Sequence, residues 1–275
     1  KKLDLINQNH TYKFLKKYKP NFVILAAAKV GGIATNAKFK EKFLFENLQI
    51  QNNIIHGSYL AGVKNLFLLG SSCIYPKFCK QPMKEKYLLS GPLEESNDAY
   101  AIAKIAGLKM CEYYSKFLKL NYKSFMPPNM YGPNDNYDLN NSHFFPALLK
   151  KIYRAKKEKK KYIKVWGNGK SKRELMNVYD LADACEFFLK KNTKHTVINI
   201  GTGKEKTIKE FCYYIMKKLD CNLKIKFDKS KPNGTPRKIL NCNIAKSYGW
   251  VSKISLDKGF KMTFENFIEN YNKFN

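Results

Sequence analysis

The sequence predicts an α/β fold: a doubly wound parallel sheet joined to a smaller C-terminal α/β lobe. Three observations predict it. Short uninterrupted apolar runs, such as residues 22–28 and 66–69, alternate with longer stretches of helical period, the pattern of a parallel sheet covered on both faces. Glycine or proline punctuates the run ends at Gly31 and Gly32, at Gly70, and at Pro127 and Pro128. Finally, 275 residues at 44% apolar composition suffice for one large core, or two small ones sharing a cleft.

The elements follow in order. Residues 22–28, Phe-Val-Ile-Leu-Ala-Ala-Ala, read as a buried strand feeding a glycine turn at Val30, Gly31 and Gly32. From 41 to 61, Leu44, Leu48, Ile55 and Tyr59 keep a helical period until Gly62 stops it. A second buried strand at 65–69, a helix at 98–117 and a strand at 123–126 continue the alternation. Pro127, Pro128, Gly132 and Pro133 mark a loop leading into the second lobe. Residues 196–203 read as a further strand and glycine turn, followed by a helix over 208–219. A doubly wound domain that receives a nucleotide should open with a strand, a Gly-x-x-Gly-x-x-Gly turn and a helix N-terminus. This sequence holds no such turn, so the first βαβ segment is expected to lie before Lys1.

The formal net charge of +29 raises nucleic acid as a partner, because clustered cations release counterions from phosphates. Arginine, however, occurs only at Arg154, Arg173 and Arg237, and the lysines spread along the whole chain. Solvated surface is therefore the reading, with no nucleic-acid partner. Attraction of an anionic nucleotide substrate is a further use for the charge. The densest cluster, residues 150–164, is expected to be an exposed helix and loop. Seven cysteines without a Cys-x-x-Cys pair fit neither a disulfide framework nor a tetrahedral zinc site. They predict a reducing compartment, hence the cytoplasm, and no metal. No apolar run approaches the roughly 20 residues that cross a bilayer, so no membrane span is expected.

Tyr100 and Lys104 stand four apart on the helix expected at 98–117 and share a face. A phenol ionises near pH 10, and an adjacent ammonium would lower that value and make a usable proton donor. Taken alone, such a pair is more often an ordinary solvated one. Upstream, the strand ending at Leu69 and Gly70 runs into Ser71, Ser72, Cys73, Ile74, Tyr75 and Pro76, and strand alternation would aim Ser71 and Cys73 the same way. Ligands of open parallel sheets sit beyond the carboxyl ends of strands, where these residues emerge. There a hydroxyl can polarise a carbonyl, and a thiol can act as a base where its thiolate is favoured. The ordinary alternative for Cys73 is a small buried hydrophobe, and for Cys111 that alternative is preferred. His143 has a neutral-range pKa suited to either proton role. His10, His56 and His195 read as satisfied structural histidines.

Ser71, Tyr100 and Lys104 form the pattern of short-chain dehydrogenases and their sugar-nucleotide relatives. Gly-Ser-Ser-Cys-Ile-Tyr-Pro at 70–76 narrows it, together with Ala-Ala-Ala-Lys-Val-Gly-Gly-Ile at 26–33 and Tyr-Ala-Ile-Ala-Lys-Ile-Ala-Gly at 100–107. With Asn-Ser-His at 141–143 and Lys-Pro-Asn-Gly-Thr-Pro-Arg-Lys at 231–238, the chain is similar to the GDP-L-fucose synthase family over nearly its whole length.

The resemblance implies a Rossmann-like NADP-binding domain, incomplete at its N-terminus, from residues 1–132 and 174–206. Residues 133–173 and 207–275 would bind the GDP-sugar. It further implies conversion of GDP-4-keto-6-deoxy-D-mannose to GDP-L-fucose, by epimerisation at C3 and C5 and reduction at C4. In that scheme Ser71 and Tyr100 polarise and protonate the C4 oxygen, and Lys104 tunes Tyr100 and holds the nicotinamide ribose. Cys73 and His143 handle the carbon-bound protons. Ala26, Ala27, Ala28, Gly70, Ser71, Ser72, Lys104, Pro127, Pro128, Asn129, Met130 and His143 would line the cofactor. Lys151, Trp166, Arg173, Asn233 and Arg237 would meet the substrate. Lys151 and Asn233 depart from the family's pattern, which often has Arg and Asp there. NADPH as cofactor rests on the resemblance alone, as does a homodimer through the long helices near Glu41 and Tyr100. The alternatives are an epimerase or dehydratase for another nucleotide sugar, which Cys73 with His143 argues against, and a cofactor-binding relative without turnover, which Ser71, Tyr100 and Lys104 argue against.

Overall fold

Leu66, Phe67 and Leu68 are wholly buried, as an uninterrupted apolar run becomes when both faces of its sheet are covered. A computed structural model describes residues 3–139, 141–231 and 233–274. Pro232, part of the motif at 231–238, lies outside the described residues. Helix α1 (Gln8–Tyr18) precedes β1 (Phe22–Leu25); α2 (Ile33–Lys38) and α3 (Lys40–Leu60) lead to β2 (Asn65–Leu69), and α4 (Asp98–Leu118) to β3 (Asn121–Met126). Next come β4 (Asn129–Tyr131), α5 (Phe144–Lys157), β5 (Tyr162–Trp166), β6 (Lys172–Asn177), α6 (Val178–Lys190) and β7 (Val197–Asn199). Then follow β8 (Glu205–Thr207), α7 (Ile208–Lys218), β9 (Lys224–Asp228), β10 (Arg237–Lys238), α8 (Asn243–Ser247) and α9 (Leu256–Glu269).

Strands β1, β2, β3 and β7 form an all-parallel sheet in that order. Alternation along β2 shows how its two faces are covered. Leu66 and Leu68 join a cluster with Ile54 and Ile55 of α3 and Cys111 of α4, whereas Phe67 joins Phe188 of α6, Phe125 and Trp250 on the other side. A second sheet runs β10, β6, β4, with β8 antiparallel on β6, and β5 pairs β9 in parallel. The amphipathic helices α5, α7 and α9 close over these strands, burying Leu149, Ile152, Phe211, Ile215 and Phe267.

The structure refines the sequence reading in three places. The run at 22–28 ends as a strand at Leu25 and lies at the sheet edge, with Phe22 and Ile24 exposed, because only β2 pairs with it among the described residues. Residues 150–164 are an exposed helix end and loop only over 156–161: Lys150 is buried within α5, and residues from Tyr162 form β5, whose Ile163 and Val165 face the core. The alternation there is blurred because the outward positions hold Tyr162 and Trp166 beside Lys164. Strand β7 takes 197–199 of the strand and glycine turn read at 196–203, and Asn199 at its end turns inward as a tie: its Nδ2 donates to the carbonyls of Met83 and Asn241, and its Oδ1 accepts from the Tyr75 hydroxyl.

Glu174 joins the two sheets. It is buried on β6, where its carboxylate accepts from the backbone N–H groups of Thr202 (2.6 Å), Gly203 (2.8 Å) and Leu240 (2.7 Å). Removing the carboxylate would orphan three N–H groups, each costly when buried. Glu174→Ala is expected to lower the unfolding free energy by about 3 kcal/mol or more, measured by urea titration, whereas Glu174→Gln keeps part of the network and loses less.

Candidate active site

The carboxyl end of β2 is shaped by three backbone ties. Gly70 N–H donates to Phe125 O, Ser72 N–H to Pro127 O, and a short 3₁₀ turn over Ser72–Ile74 follows. Ser71 caps that turn: its Oγ accepts the N–H of Cys73 at 3.1 Å. Ser71 and Cys73 therefore meet through a capped turn and not through strand alternation. A Cβ at residue 70 would strike the Met126 side chain, so glycine suits the close approach of β2 to β3.

Helix α4 starts against this turn. Asn97 occupies its N-cap position but makes no capping hydrogen bond; its Nδ2 instead donates to Cys73 Sγ at 3.5 Å. Tyr100 and Lys104 follow on the same face, with Lys104 Nζ lying 5.8 Å from the Tyr100 ring centre and donating to Leu69 O at 2.8 Å. From the other sheet come Arg173 on β6 and Lys238 on β10, paired in register. Lys238 Nζ donates to Cys73 Sγ at 3.1 Å. His143 sits at the N-terminus of α5.

These groups line one cleft of about 410 Å³, a size suited to small-molecule ligands. Ser71, Cys73, Tyr100, Lys104 and His143 all open onto it, as do Ala26, Ala28, Gly70, Ser72 and Pro127 through Met130. Lys151, Trp166, Arg173 and Asn233 line it as well, with the Lys151 ammonium 5.8 Å from the Trp166 ring centre. Two expected residues lie elsewhere. Ala27 is exposed and does not line the cleft. Arg237 points away and pairs with Glu205, Nη2 to Oε1 at 2.8 Å, because adjacent residues on β10 face opposite sides and Lys238 takes the inner one.

Residues 1–201 match the NAD dependent epimerase/dehydratase family. A GDP-L-fucose synthase of Sinorhizobium fredii is 46% identical over 98% of this chain and 86% of the relative. GDP-L-fucose synthase 1 of Arabidopsis thaliana is 45% identical, over 98% of this chain and 83% of the relative. The chain belongs to the GDP-L-fucose synthase family. A GDP-L-fucose synthetase of Naegleria fowleri bound to NADP superimposes with a TM-score of 0.88 at 28% identity, covering 98% of this chain and 83% of that one.

The electrostatics of this member of the GDP-L-fucose synthase family follow from burial and two cations. Burial pushes the Cys73 thiol up, but the Lys238 ammonium, the Ser71 hydroxyl and the more distant Arg173 together hold it below its ordinary value. Burial, with the charge of Cys73, pushes the Tyr100 phenol up, against a smaller opposing hydrogen bond with Ser71. The expected lowering by Lys104 does not occur, because its ammonium is turned onto Leu69 O. His143 remains accessible from the cleft, yet the surrounding walls and the Lys238 charge hold its imidazole below the ordinary value. Burial lowers Arg173 to about 10. Cys111 is fully buried, and burial pushes its thiol up to about 12, consistent with a small core hydrophobe. His56 and His195 hydrogen-bond the hydroxyls of Tyr114 and Tyr248.

The sequence reading attached no role to Lys238, Asn97 or Glu94, all of which line the cleft. Glu94 is buried and accepts from Ser96. The short strand at 237–238 carried the only available signal: alternation there sends one of its two cations inward.

Burial lowers Lys104 to about 8. The unfolded chain therefore binds one proton more than the folded one between about pH 8 and its ordinary value near 10.4, so stability rises with pH across that window. Lys104→Met is expected to flatten this rise, read as a smaller gain in thermal midpoint from pH 8 to pH 10 for the ligand-free protein. An unchanged gain would place the titration elsewhere.

Proposed function

We propose that the chain converts GDP-4-keto-6-deoxy-D-mannose to GDP-L-fucose, epimerising C3 and C5 and then reducing the C4 ketone with NADPH. One observation carries the proposal: a hydroxyl, a cation-held thiol, a phenol and an imidazole share a single cleft. The C4 carbonyl acidifies the hydrogens on its two neighbours, so a base and an acid beside the ring suffice for inversion. Cys73 takes the proton from carbon, and His143 returns one. Ser71 polarises the C4 oxygen, and Tyr100, held protonated by burial, delivers its proton there during reduction.

The cleft end formed by Ala26, Ala28, Gly70, Lys104 and Pro127 through Met130 suits a nicotinamide nucleotide. Apolar backbone walls it, and the buried Lys104 ammonium is tied only to a carbonyl among the described residues. NADPH, when bound, supplies the hydride for C4. Lys151, Trp166, Arg173 and Asn233 then receive the GDP moiety: a guanidinium and an ammonium suit phosphate oxygens, and the indole suits a base. In this division residues 1–132 and 174–206 serve the cofactor, and residues 133–173 and 207–275 the GDP-sugar. Strand β6, paired with β4, β8 and β10, is the seam between them. A cytoplasmic homodimer through α3 and α4 belongs to the same proposal, supported by Phe45, Ile102, Tyr113 and Phe117 exposed on these helices. No helix among the described residues is long and apolar enough to cross a membrane.

Assay with GDP-4-keto-6-deoxy-D-mannose and NADPH in deuterated water tests the reaction. Deuterium is expected at C3 and C5 of a GDP-L-fucose product. Tyr100→Phe should slow reduction about 100-fold or more and leave exchange intact, whereas Cys73→Ser should abolish exchange. A product that keeps the manno configuration would refute the epimerase half.

A further inference from the structure

Cys73 is the only cysteine at the catalytic end of the cleft, and its surroundings differ from those of the chain's buried thiols. At Cys111, Cys185, Cys212 and Cys242 burial dominates and the thiol is pushed up, to about 12 at Cys111 and Cys212 and about 11 at Cys185. The sulfur of Cys73 accepts from two donors instead, Lys238 Nζ at 3.1 Å and Asn97 Nδ2 at 3.5 Å. Both donors depart from ordinary behaviour. Asn97 stands at the N-cap of α4, where its side chain would usually satisfy the helix's own N–H groups, yet it turns to the sulfur. Lys238 has no carboxylate within ion-pairing distance among the described residues, although twelve such pairs occur elsewhere.

The backbone around Lys238 is pinned on every side. Lys172 N–H donates to Pro236 O, Ile239 N–H to Gln81 Oε1 at 3.0 Å, and Leu240 N–H to Glu174 Oε2 at 2.7 Å. The pairing of Arg237 with Glu205 fixes which way the strand's two cations face. A flexible lysine tip is thus delivered from a rigid base 165 positions away in sequence from Cys73.

We propose that Lys238, assisted by Asn97, is a positioning residue that holds Cys73 as a thiolate before substrate arrives. The inference deepens the proposed reaction and rests on it only for the use to which the sulfur is put. In the epimerisation, a sulfur lone pair takes the proton from carbon and forms the S–H bond. The electron pair of the broken C–H bond moves toward the C4 carbonyl, giving an enolate. A neutral thiol could not begin this step, and a thiolate without a cation would not persist in so enclosed a place.

The other charged and titratable groups facing Cys73 fit this arrangement. Arg173 on β6 adds a second, more distant positive charge, and Glu94 favours the charged form of that guanidinium. Tyr100 on α4 is kept protonated by burial and, to a lesser extent, by the negative sulfur, which reserves its proton for the later reduction. His143 at the start of α5 is held below its ordinary value by burial first and by repulsion from the Lys238 charge second. The Lys238 charge thus acts on both Cys73 and His143.

The test is the pH dependence of iodoacetamide alkylation of the ligand-free protein, monitored at Cys73 by peptide mass. Cys73→Ser identifies the signal. In the wild type, Cys73 is expected to alkylate with a midpoint below that of an ordinary thiol, about 8.5. Lys238→Met should move the midpoint up by at least one unit and slow alkylation near pH 7 by about tenfold, whereas Lys238→Arg should keep most of the wild-type rate. Asn97→Leu should move it in the same direction by less, and serves alone should Lys238→Met not fold. In the exchange assay, Lys238→Met should shift the onset of deuterium incorporation to higher pH by the same amount. An unmoved alkylation midpoint in a folded Lys238→Met protein overturns the inference even where exchange depends on Cys73. A moved midpoint in a protein that exchanges no deuterium into the sugar leaves the cation–thiolate pair standing and removes the proposed reaction instead.

Discussion

Parallel pairing of β2 with β3 is the constraint from which the site follows. It brings the carboxyl ends of both strands to one edge of the sheet, where Gly70 and Ser72 bind the backbone of Phe125 and Pro127. That edge is where the chain can leave regular structure without leaving backbone groups unpaired. The capped turn at Ser71, the start of α4 and the Pro127–Met130 segment all converge there. Were the strands antiparallel, these three would lie at opposite ends of the sheet.

The second sheet contributes charge to that edge. Strands β6 and β10 deliver Arg173 and Lys238, and Glu174 locks their backbone to the turn after β7 through three N–H groups. This explains why a buried carboxylate in the middle of β6 matters to chemistry it does not touch. A shift of β10 by even one residue would send Lys238 outward and Arg237 inward, exchanging the partner of Cys73 for the partner of Glu205. Packing and register, more than the presence of particular cations, thus decide the protonation of the sulfur.

The low polarizability of the cleft wall works in two directions. It raises Tyr100 and lowers Lys104, disfavouring charge on both while nothing else is bound. At Cys73 the Lys238 and Arg173 charges, with the hydrogen bonds of Ser71 and Lys238, outweigh the same penalty. Neighbouring groups in one cavity therefore end with different protonation states, which is the arrangement that acid–base chemistry near neutral pH needs.

Much of this was legible in the residues. Local patterns carried the strands at Asn65–Leu69 and Asn121–Met126, the two long helices, and the set Ser71, Tyr100 and Lys104, since periodicity and i,i+4 spacing act over a few residues. The strand at Tyr162–Trp166 was hidden because two of its three outward residues, Tyr162 and Trp166, are aromatic and blur the alternation, and the helix over Gln8–Tyr18 passed unremarked beneath its polar face. Alternation within β10 could not be aligned with anything until its partner was known. What brought Lys238 to Cys73, set Arg237 against Glu205 and turned Lys104 onto Leu69 was long-range packing. Such contacts depend on strand order and register between segments far apart, and a linear sequence expresses neither.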